Sequence, residues 1–113
     1  MFRFRRKSAV RLDLKDIDVH EARRRQTAGA LLLDVREDDE WATGHADGAR
    51  HVPLGQIGAS EQDLPRDREI LLICRSGRRS AQAAQLLLEA GHSAINVAGG
   101  MQAWTRAGLP VAR

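Results

Sequence analysis

The chain has 113 residues, of which 42% are hydrophobic and 29% charged, with a formal net charge of +3 and a single cysteine. That length suits one domain with a modest core, and that composition excludes a disordered chain. One cysteine excludes an internal disulfide and a cysteine-rich zinc site, four histidines scattered without ligand spacing suggest no other metal site, and no apolar run approaches the roughly 18 residues that cross a bilayer. Residues 1–12, MFRFRRKSAVRL, read as a basic arm. Its apolar stretches are too short for a signal peptide, so a cytoplasmic location is expected. Residues 13–113 are expected to form the domain. There Asp18 and Glu21 have the spacing of a capping box, which predicts a short helix to about Gln26. ALLLDV (30–35) predicts a strand covered on both faces. The acidic start of 37–43 suits a helix N-terminus. A short strand is expected over 49–52, and a second fully apolar one over 69–73. Ser80 to Ala90 reads as a helix with Gln82, Gln85 and Glu89 as its polar stripe, stopped by Gly91. A strand over 94–97, a Gly99-Gly100 turn and a helix over 101–106 complete the pattern.

Strands alternating with helices predict an α/β domain, a parallel sheet with helices on both faces. Ligands of such sheets bind outside the carboxyl ends of the strands. Cys74 falls at such an end, directly after ILLI and directly before a loop and a helix. A thiol must become a thiolate to attack an electrophile. The helix N-terminus favours the anion, and a short loop turning its N–H groups inward does the same. Gly77 supplies the positive φ that such a nest needs. Arg75, Arg78 and Arg79 add positive potential, and any that points inward can grip an anion. Ser76 and Ser80 complete the loop, and Ser80 also reads as the helix N-cap. The bland reading of a lone cysteine is a small buried hydrophobe. The loop context favours a functional thiol. The basic residues fall at 3–7, 23–25 and 75–79, without a stripe or interleaved aromatics, so no nucleic-acid partner is expected.

CRSGRRS after ILLI resembles the active-site loop of rhodanese-like sulfurtransferases. LLLDVRE (31–37) resembles the family's first signature. GHADGARHVPLGQI (44–57) is similar to its GHIPGAxNIPL segment, with Ala46 and Asp47 departing from the usual Ile and Pro. VAGGMQAWTRAGLPV (97–111) resembles its C-terminal signature. The resemblance runs from about Asp13 to Val111 and implies a single three-layer rhodanese-like domain around a central parallel sheet. It implies that Cys74 takes a sulfane sulfur from thiosulfate or a similar donor, and that the backbone N–H groups of Arg75, Ser76, Gly77, Arg78, Arg79 and Ser80 hold the persulfide. Cyanide, a cellular thiol or a sulfur-accepting protein then removes the sulfur, with no metal or organic cofactor.

Elsewhere the structural readings are preferred. Arg36 is expected to pair with Glu40, Asp34 to bond backbone at a turn, and His45 to serve as a structural hydrogen-bonder. Trp41 and Trp104 are expected in the core. Two rivals stand beside sulfur transfer. A cysteine phosphatase commonly has five residues between cysteine and arginine, where this loop has four before Arg79, and no general acid can be assigned. An arsenate reductase commonly needs further cysteines. A protein-docking sulfur carrier or regulatory module is the other alternative.

Overall fold

The computed structural model describes residues 13–113, so the basic arm lies outside the described residues. The elements run β1 (Asp16–Ile17), α1 (Val19–Thr27), β2 (Leu31–Asp34), α2 (Asp38–Ala42), β3 (His45–Ala46), β4 (Arg50–His51), α3 (Ile57–Ser60), β5 (Ile70–Ile73), α4 (Arg78–Glu89), β6 (Ala94–Val97), α5 (Gly100–Arg106) and β7 (Val111–Ala112). Five strands form a parallel sheet in the order β1-β6-β5-β2-β4. The remaining two, β3 and β7, form a small antiparallel ribbon. The expected α/β architecture is present.

Every residue of β2 and β5 is buried, and alternation divides them between two cores. Leu31, Leu33, Ile70 and Leu72 pack with Ile57 of α3 and Ala83, Ala84 and Leu87 of α4. Leu32, Leu71 and Ile73 pack on the other face with Ala22 of α1 and Met101 and Trp104 of α5. Each strand therefore reads as an apolar run, interrupted only by Asp34 at the end of β2, because both of its faces are covered. The same parity places Cys74 in the first core, on the α4 side.

The structure alters several expectations. Three of the four two-residue strands, β1, β3 and β7, and the helix α3 carry no sequence period long enough to predict them. Helix α4 begins at Arg78, two residues earlier than the sequence suggests, with Gly77 as its N-cap at φ 109°. Ser80 is therefore inside the first turn. Asp18 does cap α1, accepting from the Glu21 N–H at 2.8 Å. The Glu21 carboxylate instead pairs with Arg24 and Arg25, so only half of the expected capping box forms. Trp104 is fully buried, as expected. Trp41 is only half-buried: its indole stacks on the rings of His45 and His51, at centroid distances of 3.5 and 4.6 Å.

Candidate active site

Cys74 follows β5 at its carboxyl end, and 1% of it is exposed. Its sulfur accepts from the Gly77 N–H at 3.1 Å and from the Ser80 hydroxyl at 3.2 Å. Both donors depend on the early start of α4. Gly77 at positive φ bends the backbone back toward Cys74, and the first helical turn then carries Ser80 over the sulfur. Burial pushes the thiol up. The Ser80 hydroxyl and the N–H groups of Ser80, Gly77 and Ser76 push it down more strongly, and the net direction is below an ordinary thiol. The hydrogen-bond donors of the loop and the helix start, the features that the sequence reading named first, are the principal lowering influence.

The three loop arginines are not equivalent. Arg75 and Arg78 are exposed. Arg79 makes two charge-assisted bonds to Glu40 of α2, at 2.7 and 2.8 Å. The pair draws Glu40 down to about 2 and raises Arg79 further. Glu40 also accepts from the Glu37 N–H at 3.0 Å, so one carboxylate fastens both the start of α2 and the start of α4. Arg79 is therefore committed to Glu40 and is not aimed at an incoming anion.

That partnership corrects the expected Arg36–Glu40 pair. Arg36 instead turns back on Asp34 with bonds of 2.8–3.0 Å, and its Nη2 also donates to the Gly44 carbonyl at 2.8 Å. Asp34 accepts from the Arg36 N–H at 2.9 Å, the backbone bond expected of it. Both residues are buried. His45 bonds the Trp41 carbonyl at 3.1 Å through Nδ1, consistent with its structural reading.

Two supports were missed in the sequence. Asn96, buried in β6, donates to Asp16 at 2.9 Å and to the Gly77 carbonyl at 3.2 Å, which fixes the N-cap of α4 from below. A polar residue within the strand AINV is the signal that marks it. The second is the start of α5. The N–H groups of Met101 and Gln102 bond the carbonyls of Cys74 and Arg75 at 2.7 and 3.0 Å. Gly100 permits that approach: a Cβ there would stand 2.4 Å from the Cys74 oxygen and 2.6 Å from the Arg75 carbonyl carbon. The loop carbonyls are thus drawn toward α5, while loop N–H groups face the sulfur.

No group of metal-ligating side chains occurs among the described residues. No described helix is long and apolar enough to cross a membrane. A cleft of about 630 Å³ adjoins the loop between α2 and α5, with Arg75 at its edge.

A thiol disposed toward its anion by loop donors, at the carboxyl end of a parallel strand, defines a class of α/β domains with a cysteine on an anion-cradling loop. Comparison with known proteins makes the assignment particular. The model of the rhodanese-like domain family matches residues 18–107. A sulfurtransferase of Allochromatium vinosum is 38% identical over 86 residues, covering 75% of this chain and 80% of the relative. The crystal structure of a rhodanese-related protein from Thermoplasma volcanium superposes with a TM-score of 0.82 at 31% identity, covering 87% of this chain and 97% of that one. The human single-domain sulfurtransferase TSTD1 gives a TM-score of 0.76 at 26% identity, with 83% and 97% covered. The chain belongs to the rhodanese-like domain family, and sulfur transfer is its general activity.

Proposed function

We propose that the chain moves a sulfane sulfur from thiosulfate, or a similar anionic donor, to a thiophilic acceptor through a persulfide on Cys74. The observation that carries this reading is the sulfur of Cys74 receiving the Gly77 N–H and the Ser80 hydroxyl at the buried end of β5. These donors favour the thiolate, which is the nucleophile. The thiolate attacks the outer sulfur of thiosulfate. A new S–S bond forms, and the bond to the sulfonate sulfur breaks with its electron pair leaving on sulfite. An acceptor then attacks the outer sulfur of the persulfide, and the Cys74 thiolate departs with its pair. Each step balances without a metal or organic cofactor. The loop from Arg75 to Ser80 holds the added sulfur with its N–H groups.

The commitment of Arg79 to Glu40 favours sulfur over phosphoryl transfer. A transferred phosphoryl group has three equatorial oxygens that need donors. Here the loop-end guanidinium is engaged elsewhere. As the sole cysteine, Cys74 also leaves the accepting thiol to another molecule, a small thiol or a protein. The deciding assay measures thiocyanate formation from thiosulfate and cyanide beside hydrolysis of an aryl phosphate. The expected result is thiocyanate formation dependent on Cys74 with negligible phosphate release. Cys74-dependent phosphate release without thiocyanate overturns the reading.

A further inference from the structure

We propose that Asp16, at the start of the edge strand β1, is a positioning residue for Cys74: it holds the Asn96 side-chain amide, which holds the Gly77 carbonyl, and so keeps the Gly77 N–H on the sulfur. The proposal deepens the sulfur-transfer reading above, and its bearing on turnover rests on that reading.

The sheet brings these residues together. Asp16 and Asn96 are register partners on the neighbouring parallel strands β1 and β6, although 80 positions apart in sequence. Side chains in register lie on one face of a sheet. Ala94 packs in the core beneath α4, and Asn96, two residues further along β6, shares that face. Cys74 belongs to the same core. Asn96 is thus a buried polar side chain next to the start of α4, and a Cβ on Gly77 would stand 3.8 Å from its Nδ2.

The Asn96 amide is oriented by what it faces. Its Nδ2 donates to Asp16 Oδ1 at 2.9 Å and to the Gly77 carbonyl at 3.2 Å. Both partners are acceptors, so a turned-over amide would set its own oxygen against two oxygens. The orientation has a cost. Asn96 Oδ1 is buried and has no hydrogen-bond partner among the described residues. A buried polar atom left unpaired calls for a compensating role, and here the compensation is the hold on Gly77.

Gly77 needs such a hold. It sits at φ 109°, where glycine is unrestrained by a side chain, and no side chain caps α4. Its carbonyl also takes the Ala81 N–H, at a long 3.3 Å. Its own N–H donates to the Cys74 sulfur at 3.1 Å. Carbonyl and N–H flank one Cα, so fixing the first limits the swing of the second. Asp16 is exposed, and β1 stays attached without its carboxylate. The Asn96 N–H donates to the Lys15 carbonyl at 2.9 Å and the Ala98 N–H to the Ile17 carbonyl at 2.8 Å.

This role and a plain charge effect have opposite signs. Loss of an anion by itself favours the thiolate, whereas a slackened donor to the sulfur disfavours it. Asp16→Ala removes both the charge and the acceptor. Asp16→Asn removes the charge and keeps an acceptor for Nδ2.

The test is the rate of Cys74 alkylation by neutral iodoacetamide, across pH, in the parent and both variants. Well below the midpoint the rate follows the thiolate fraction, and there Asp16→Ala should react about threefold more slowly than the parent. At high pH the two rates should agree, and Asp16→Asn should follow the parent throughout. An Asp16→Ala rate at low pH equal to or above the parent's overturns the proposal. So does an Asp16→Asn rate as low as that of Asp16→Ala, or a slowing of Asp16→Ala that is equal at every pH. Asn96 is the chain's sole asparagine, which gives a second measurement on the unmodified protein. Both of its side-chain amide protons should exchange with solvent about tenfold more slowly than those of the exposed Gln82. Equal exchange overturns the proposal, even where Asp16→Ala fails to fold. Thiocyanate formation by Asp16→Ala should fall by a factor similar to that of alkylation at the same low pH. A parent that forms no thiocyanate defeats the sulfur-transfer reading instead, and alkylation, which needs no sulfur donor, still decides the role of Asp16.

Discussion

The carboxyl ends of β2 and β5 lie side by side, with Asp34 in register with Ile73. Both follow four-residue strands buried throughout, and both lead within a few residues into a helix. At the end of β2 an anionic side chain is fully satisfied. Asp34 takes the Arg36 guanidinium and N–H, and the start of α2 is closed by Glu40 bonding back to Glu37. At the end of β5 no side chain caps α4. Its first turn instead turns the Gly77 N–H and the Ser80 hydroxyl on the Cys74 sulfur. The first end is closed by permanent internal pairing. Under the proposed function, the second keeps its donors for an atom that changes during the reaction. A helix start becomes chemically useful when its donors are not already satisfied by its own side chains.

The contrast can be broken most severely at the closed end. Asp34→Ala leaves Arg36 buried without its carboxylate, which should cost about 3–5 kcal/mol. Urea denaturation checks this, and a loss below about 1 kcal/mol would show that the pair is not what closes this end. At the open end, Gly100→Ala forces a Cβ against the Cys74 and Arg75 carbonyls. A displacement of the loop by even an ångström should lower turnover about a hundredfold. Turnover within twofold of the parent would separate the start of α5 from loop geometry.

Smaller changes sharpen the comparison. Ser80→Ala removes one donor to the sulfur, so turnover should fall about tenfold. The pH midpoint for alkylation of Cys74 should rise, because the lost bond favoured the anion. An unmoved midpoint would remove Ser80 from the account. Glu40→Gln unties the two ends, with an expected stability loss of about 1 kcal/mol at neutral pH, the pair being partly exposed. Glu40 lies at about 2 in the folded chain, below its ordinary 4.5. Its contribution is therefore complete above pH 4.5 and disappears as pH falls through 2. Stability curves of the parent and Glu40→Gln should converge over that interval, and a gap independent of pH would contradict the ion pair.

Much of this contrast is legible in the sequence. ILLI followed by CRSGRRS places a thiol at a strand end, and the apolar runs LLL of β2 and ILLI of β5 declare a sheet covered on both sides. The start of α4 is not legible in the same way, because serine is a common N-cap and Ser80 draws the boundary two residues too far along. Gly77 at positive φ takes that place, and Ser80 becomes a donor to sulfur. The Arg36–Glu40 expectation follows a helical spacing, yet Arg36 precedes α2, where that spacing has no force. A turn brings Asp34 nearer. The bond from Arg79 to Glu40 spans 39 positions and depends on how α2 meets α4, which no local pattern encodes. Asn96 and Gly100 act through packing against the loop, so their roles emerge only with the tertiary structure.

The central claim is that Cys74 carries the transferable sulfur, and intact-mass measurement after incubation with thiosulfate tests it most directly. The account predicts a gain of one sulfur atom by the parent, reversed by cyanide or a reducing thiol, and no gain by Cys74→Ser. A parent that gains nothing from any sulfane donor would contradict it, and so would a Cys74→Ser variant that gains the sulfur and retains turnover.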